Sequence, residues 1–325
     1  MYRIIGALVV ASVLVGCEGS SLSDDDSPSG VGTGTQPLVP EPSDPVDPDP
    51  ADPGNPNNQF GTEFNEDLTV NEMTFDPATG ELVLNGVPFD GDDNLYTRDA
   101  TVSDAVRAAS GTGYDVYRNV AGTSDFYAVF RRSASGFTQA GALATDRYVS
   151  FGFGGVGAQR LEGSGALPNS DQSYVFTGEY AAVRTVVDAT SGNRVQYVAG
   201  TSVIDVDIED FDDIGAVEGL IVDRTFFDAN GVQITDLDNA DYIALSTGQI
   251  NFDDWSIVSS DATVFQAGGP KASGSWQGLF SGPNGEEVAG IVVVEGSGPI
   301  GIDPATGEYI EVGVRETGTF IATRP

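Results

Sequence analysis

The sequence predicts an all-β protein: a small β-rich handle-like domain, then an eight-stranded antiparallel up-and-down barrel, preceded by a disordered tether. Three observations support that expectation. Glycine is abundant, 42 of 325 residues, with Val, Thr, Tyr and Phe spread throughout, a composition that suits strands and tight turns. Apolar and polar residues alternate: Ile204, Val206 and Ile208 interleave with Asp205, Asp207 and Glu209, giving one apolar and one acidic face. Turn markers separate the strand-like runs at Asp228-Ala229-Asn230-Gly231, Gly282-Pro283-Asn284-Gly285 and Asp303-Pro304-Ala305-Thr306-Gly307.

Taken in order, residues 1–16 read as a secretory signal: Arg3, an apolar core from Ile4 to Val15, then the small Gly16. That core is too short to span a bilayer as a helix, which takes about 20 apolar residues. Cys17, the single cysteine, follows at the cleavage point. The run Leu14-Val15-Gly16-Cys17 resembles a bacterial lipobox, which implies diacylation of the Cys17 thiol (a palmitate-bearing anchor) after export. The expected location is the outer membrane, lipid-anchored, on its periplasmic or cell-surface face.

Residues 17–59 form an acidic Pro/Asp-rich tether, with Asp-Pro units between Pro37 and Pro56 and almost no apolar side chains. Such a segment cannot bury enough surface to offset its ordering entropy. Extended at about 3.1 Å per residue, it reaches on the order of 100 Å. No Lys or Arg occurs between Ile4 and Thr97, so the tether repels itself and an anionic membrane alike.

Residues 60–165 are expected to be the handle-like domain, with strands at 73–75, 82–84, 115–120, 126–132, 137–145 and 148–153. A short helix at 102–110 stops at Gly111. Gly163 to Ser170 reads as a break. Residues 166–325 then supply eight strands, at 174–187, 194–208, 216–227, 242–250, 262–266, 273–281, 287–295 and 309–323. Closing them into a barrel removes the exposed edges. Asp76-Pro77-Ala78-Thr79-Gly80-Glu81 recurs as Asp303-Pro304-Ala305-Thr306-Gly307-Glu308, a hairpin loop used twice.

Charge and composition narrow the chemistry. A formal charge of −35 and a pI near 4.1 argue against nucleic acid as a partner. Histidine is absent and the one cysteine is assigned to lipid, so zinc, copper, His-based general bases and Cys nucleophiles are not expected. Haem ligation would rest on tyrosine alone. No cofactor, metal site or catalytic residue is expected, and the chain is read as a non-enzyme and a monomer.

Two motifs have competing readings. Gly152-Phe153-Gly154-Gly155-Val156-Gly157 satisfies G-x-G-x-x-G, but Ala158 to Gly163 promises no following helix, so strand-end glycines are the better reading. Asp205, Asp207, Glu209, Asp210, Asp212 and Asp213 could gather around calcium. Acids on one strand face stand about 7 Å apart, so a solvated face is preferred.

The positive charge is concentrated. Arg98, Arg107, Arg118, Arg131, Arg132, Arg147 and Arg160 are half of the 14 basic residues, and Tyr96, Tyr114, Tyr117, Tyr127 and Tyr148 share their window. Arg and Tyr are enriched at binding hot spots. Arg98, Arg118, Arg131, Arg132, Tyr117 and Tyr127 are therefore candidate partner-binding residues, for an acidic protein or an anionic ligand. The competing reading pairs these arginines with the acidic barrel and packs the tyrosines in a small core.

Gly274-Ser275-Trp276-Gln277-Gly278-Leu279-Phe280-Ser281-Gly282-Pro283, leading into Glu286-Glu287-Val288-Ala289-Gly290, resembles the signature hairpin of the C-terminal barrel in transferrin-binding protein B. Tyr174 to Tyr180, Asp207 to Gly219 and Gly318 to Arg324 are similar to other strands of that barrel. The resemblance covers about residues 170–325. It marks Trp276, Gly278, Phe280, Gly282, Pro283 and Gly290 as architectural residues, and a single lobe of handle plus barrel. It implies a surface-associated lipoprotein that binds a protein or small-molecule ligand without catalysis, with iron, haem or nutrient acquisition as the role to test. The alternative is a structural or interaction lipoprotein of the outer membrane with no uptake role.

Overall fold

In the computed structural model, the alternation seen at 204–209 extends into a meander of long strands. The described residues are 57–60, 70, 72–85, 90, 94–121, 124–147, 154–170, 172–211 and 214–325. They belong to one compact unit spanning 48–325. The signal segment, Cys17, most of the tether, the strand expected at 148–153, Asp212 and Asp213 lie outside the described residues.

The N-terminal part contains β1 (Asn58–Phe60), β2 (Glu72–Asp76), β3 (Glu81–Asn85), β4 (Leu95–Arg98), α1 (Ala100–Ser110), β5 (Asp115–Ala121), β6 (Ser124–Arg132), β7 (Thr138–Ala144) and β8 (Gly154–Arg160). The strands form one antiparallel sheet ordered β1-β8-β7-β6-β5-β4-β3-β2. It curls until it is nearly closed: Gln139 on β7 donates to the Met73 carbonyl on β2 at 3.0 Å. The first two residues of β1 fall in the stretch that sequence assigned to the tether. Helix α1 starts because Asp99 caps it, accepting from the Val102 N–H, and it stops at Gly111, which has φ 76°.

Strands β4 and β8 were not foreseen. β8 is built from Gly154-Gly155-Val156-Gly157-Ala158, a run without strand propensity, because the backbone approaches too closely for larger residues. A Cβ on Gly155 would lie 2.5 Å from the Val70 nitrogen. The G-x-G-x-x-G run thus continues as a sheet strand whose glycines serve packing.

All eight expected strands form the second part: β9 (Ser173–Val187), β10 (Arg194–Asp210), β11 (Ile214–Asp228), β12 (Asp241–Asn251), β13 (Ser256–Gln266), β14 (Gly269–Ser281), β15 (Glu287–Ile302) and β16 (Tyr309–Thr323). They close as β10-β11-β12-β13-β14-β15-β16-β9. The seam runs from Thr323 opposite Thr177 to Gly313 opposite Val187. β13 begins six residues before its sequence estimate, in the run Ser256-Ile257-Val258-Ser259-Ser260-Asp261, which shows no alternation. The repeated loop takes one geometry twice. Gly80 and Gly307 both have φ 74°, and their N–H groups donate to the Asp76 and Asp303 carbonyls at 2.7 Å. The Ala78 and Ala305 N–H groups donate to the same aspartates' Oδ1 at 2.8 Å.

Three apolar clusters hold the unit together. One fills the barrel with Phe176, Phe226, Trp276, Phe280 and Phe320 among others. A second lies between the sheet and the barrel's outer wall, joining Val102, Tyr114, Tyr127 and Val129 to Val183, Tyr197, Phe227 and Ile291. The third occupies the inner side of the curled sheet, around Leu82, Tyr96, Tyr117, Phe126 and Phe130.

Candidate functional site

An eight-stranded barrel has an interior just wide enough to be filled by side chains or to hold one small ligand. Here it is filled. Phe176 and Phe280 pack at 5.8 Å toward one end, and Trp276 meets Phe320 at 6.4 Å along the wall. Trp276 donates its indole N–H to the Ser246 carbonyl at 2.8 Å. Gly278 and Gly290 face each other across β14 and β15. A Cβ on Gly290 would strike the Phe320 ring at 2.3 Å, and a Cβ on Gly278 the Ala289 carbonyl at 2.7 Å. Gly282, at φ 90°, and Pro283 shape the following turn. There the Gly282 carbonyl accepts from Gly165 at 3.0 Å.

The other end is closed by a buried ionic plug. Arg224 binds Asp241 and grips both oxygens of Glu316. Tyr180 donates to Glu316 Oε1 at 2.7 Å. Arg184 donates to Gln196 Oε1 at 2.8 Å and to the Pro299 carbonyl at 2.9 Å. Both guanidiniums lie over Phe226, at 5.3 and 5.1 Å. Two cations face two carboxylates, so the formal charge of the plug is zero. Burial pushes Arg184 down to about 10 and raises Asp241. Burial would lower Arg224 too, but Asp241 and Glu316 outweigh it and hold it above its ordinary value.

A β-bulge puts Arg224 there. Between the pairs Ala199–Thr225 and Thr201–Val222, the two residues Asp223 and Arg224 of β11 face the single Gly200 of β10. Asp223 takes φ 53°. Ile221 points inward before the bulge, and Arg224 and Phe226 after it, so the extra residue changes which parity enters the barrel. Sequence reasoning missed the plug. A signal existed: Glu316 is in phase with Phe320 and Ala322 on β16.

The predicted Arg/Tyr cluster divides between the two faces of the sheet. Tyr117 is buried in the inner cluster, edge-on to Phe130. Tyr127 is buried against the barrel beside Tyr197, with the Arg118 guanidinium 5.0 Å above its ring. Arg131 pairs with Glu179 of β9 at 2.7 Å, and the other Glu179 oxygen accepts from Thr112 at 3.0 Å. Arg118 pairs with Asp99 at 3.4 Å and donates to the Ala229 carbonyl in the β11–β12 loop. Arg132 is exposed at the end of β6.

Arg98 and Arg118 do meet in one place. They line a surface cleft of about 580 Å³ with Thr97, Asp99, Asn119 and Val120. Val120, two residues from Arg118 on the same face of β5, is 66% exposed, which places an apolar side chain on the face that carries the Arg118 guanidinium. Arg98 is oriented by Asp104 at 3.2 Å and Asp115 at 2.8 Å. The hydrogen bond to Asp115 outweighs the burial that would lower Arg98, and holds it above its ordinary value.

Elsewhere the sheet is fixed to the barrel by polar bonds that sequence did not single out. Arg160 donates to the carbonyls of Phe280 and Asp254, both at 2.7 Å, and Trp255 at 3.2 Å. Glu287 accepts from Ser135 at 2.5 Å and Thr138 at 2.7 Å. Along β10, Ile204, Val206 and Ile208 are buried while Asp205, Asp207, Glu209 and Asp210 are exposed.

No protein-family model matches the chain, and no curated protein matches it. Among solved structures, a double mutant of Transferrin Binding Protein B from Haemophilus parasuis Hp5 is 12% identical with a TM-score of 0.37, covering 82% of this chain and 45% of that one. The isotype 1 Transferrin binding protein B from serogroup B Neisseria meningitidis is 13% identical with a TM-score of 0.31, covering 66% and 35%. A structure described as a surface lipoprotein is 15% identical with a TM-score of 0.31, covering 60% and 80%. The chain thus spans less than half the length of the two transferrin-binding structures.

Proposed function

We propose that the chain is an exported lipoprotein, diacylated at Cys17 and anchored in the outer membrane, whose folded body binds a partner without catalysis. The barrel is solid, so recognition falls to the surface. The observation that supports this best is the cleft lined by Arg98 and Arg118, where Arg118 shares its face of β5 with the exposed Val120. An ordered guanidinium beside an exposed apolar residue suits an acidic protein surface or an anionic solute. The sequence resemblance extends this to cargo capture for uptake, iron or haem carriers among the cargoes.

The two halves of the proposal have separate tests. Metabolic labelling with radioactive palmitate should mark the wild-type protein, and Cys17→Ser should abolish the label; persistent labelling sinks the anchor. For recognition, Val120→Asp adds a like charge to the partner's without disturbing a buried contact. It should reduce capture of a cross-linked partner about tenfold, which corresponds to roughly 1.4 kcal/mol. Equal capture by both proteins would remove the cleft from consideration.

A further inference from the structure

A second cleft, of about 590 Å³, lies at the barrel end closed by the ionic plug. Asp223, Asn239, Tyr242, Phe265, Gln266 and Tyr309 are among its lining residues. Asp223, Tyr242 and Phe265 come from β11, β12 and β13, whereas Tyr309 begins β16. In the closed strand order β16 stands across the barrel from β12, so this cleft lies over the barrel mouth. Asp241 also lines it, held from beneath by Arg224. Barrel mouths are a preferred location for small-molecule sites, and the volume falls in their range.

Its chemistry is selective. Tyr242 and Phe265, a cross-strand pair, stack on each other at 5.4 Å with their planes within 17°, on the outer side of strands whose Ile243 and Val264 fill the barrel. Tyr242 is 43% exposed, so this stack forms an aromatic shelf of one ring face toward solvent. Asp223 and Asn239 adopt left-handed backbone conformations, at φ 53° and 56°. They are two of four such non-glycine residues among the described residues, and strained positions of this kind cluster at ligand sites. Gln266 is buried and its Oε1 has no hydrogen-bond donor among the described residues, a deficit that a donor on a bound molecule would relieve.

No lysine or arginine lines the cleft, which disfavours an anion. Arg224 already neutralises Asp241, which leaves Asp223 as the one carboxylate of the cleft, and two rings stacked on each other make no cage, the arrangement that binds an organic cation. A carboxylate and two amides around the shelf disfavour a purely apolar guest. What remains is a neutral molecule with one apolar face and hydroxyl groups at its edges. We propose that the mouth cleft binds an uncharged saccharide, with its C–H face on Tyr242 and its hydroxyls donating to Asp223 and Gln266.

The full chain in detergent should be titrated calorimetrically with neutral mono-, di- and trisaccharides of glucose, galactose and N-acetylglucosamine. Choline and inorganic phosphate serve as the competing chemistries. At least one saccharide should bind, and Tyr242→Ala and Asp223→Asn should each weaken it tenfold or more. Both substitutions lie at exposed positions, and an unchanged near-ultraviolet circular dichroism spectrum verifies folding. The proposal is overturned if no saccharide binds, if Tyr242→Ala leaves affinity unchanged, or if choline or phosphate alone binds at this cleft.

Discussion

Arg224 is the residue on which the plug depends. It contacts two buried carboxylates, and neither has another cation within bonding distance among the described residues. Replacing it with Met preserves much of the volume but leaves Asp241 and Glu316 with Arg184 alone to offset them, a net buried charge of −1. Removing one partner of a buried ion pair costs about 3–5 kcal/mol, so Arg224→Met should lower the urea midpoint sharply. Converting Arg224 and Asp241 together to apolar residues keeps the plug neutral, with Arg184 against Glu316, and should restore most of the loss. If the double variant is no more stable than the single one, the uncompensated charge is not the cause.

At this scale the sequence was informative about architecture and less so about roles. Trp276, Gly278, Phe280 and Gly290 could be singled out because their hairpin resembles one of a known barrel family. Tyr117 and Tyr127 could not be assigned to faces: Val116 and Tyr117 of β5, and Phe126-Tyr127-Ala128-Val129-Phe130 of β6, are buried on both sides. A strand buried on both faces shows no alternation to read. Arg118 and Arg131 gained meaning only from Ala229 and Glu179, which are distant in sequence and brought near by tertiary packing.

Among the elements, β8 and the hairpins it contacts show how the sheet is held to the barrel. One guanidinium, Arg160, serves three carbonyls in the turn before β13 and at the end of β14. Burial lowers its pKa, yet it remains far above neutrality as an arginine. Arg160→Ala removes the donor to the Phe280 and Asp254 carbonyls, while the Trp255 carbonyl keeps its bond from the Phe280 N–H, and charged hydrogen bonds are worth about 1.5–3 kcal/mol each. The expected loss is roughly 2–4 kcal/mol, since water can recover some of the bonds. Amide exchange should accelerate in residues 252–255 and along β8, while β10 and β11 stay protected. Uniform acceleration throughout the barrel would show that Arg160 acts globally rather than at the seam. The long barrel strands were legible because their turns and alternation coincide; β8 was not, because its glycines answer to Val70 and Leu143, contacts absent from local sequence.

The whole molecule keeps several phenols out of water, and this sets its behaviour in alkali. Of 11 tyrosines, Tyr96, Tyr114, Tyr117, Tyr180 and Tyr197 are almost fully buried. Burial is the largest cause raising each of them; Asp90 adds to it at Tyr96 and Glu316 at Tyr180. Tyr117 reaches about 12, and the others are also raised. A group whose folded pKa lies above its unfolded value stabilises the fold fully below the unfolded value, and loses that contribution as pH rises toward the folded one. For these phenols the loss therefore starts near pH 10. Arg184, lowered to about 10, has the opposite sign: the folded state releases its proton first, so it offsets one phenol. A net four retained protons steepen stability by roughly 5 kcal/mol per pH unit. A domain of ordinary stability, about 5–15 kcal/mol, would then unfold one to three units above pH 10. Titrated while following tyrosinate absorbance and far-ultraviolet circular dichroism together, the protein should ionise its exposed tyrosines first. The buried group should then ionise in a single step that coincides with loss of strand signal. Smooth ionisation of all tyrosines with the strands intact would mean that the seam and barrel admit hydroxide, and that the packing described for these phenols is not maintained in solution.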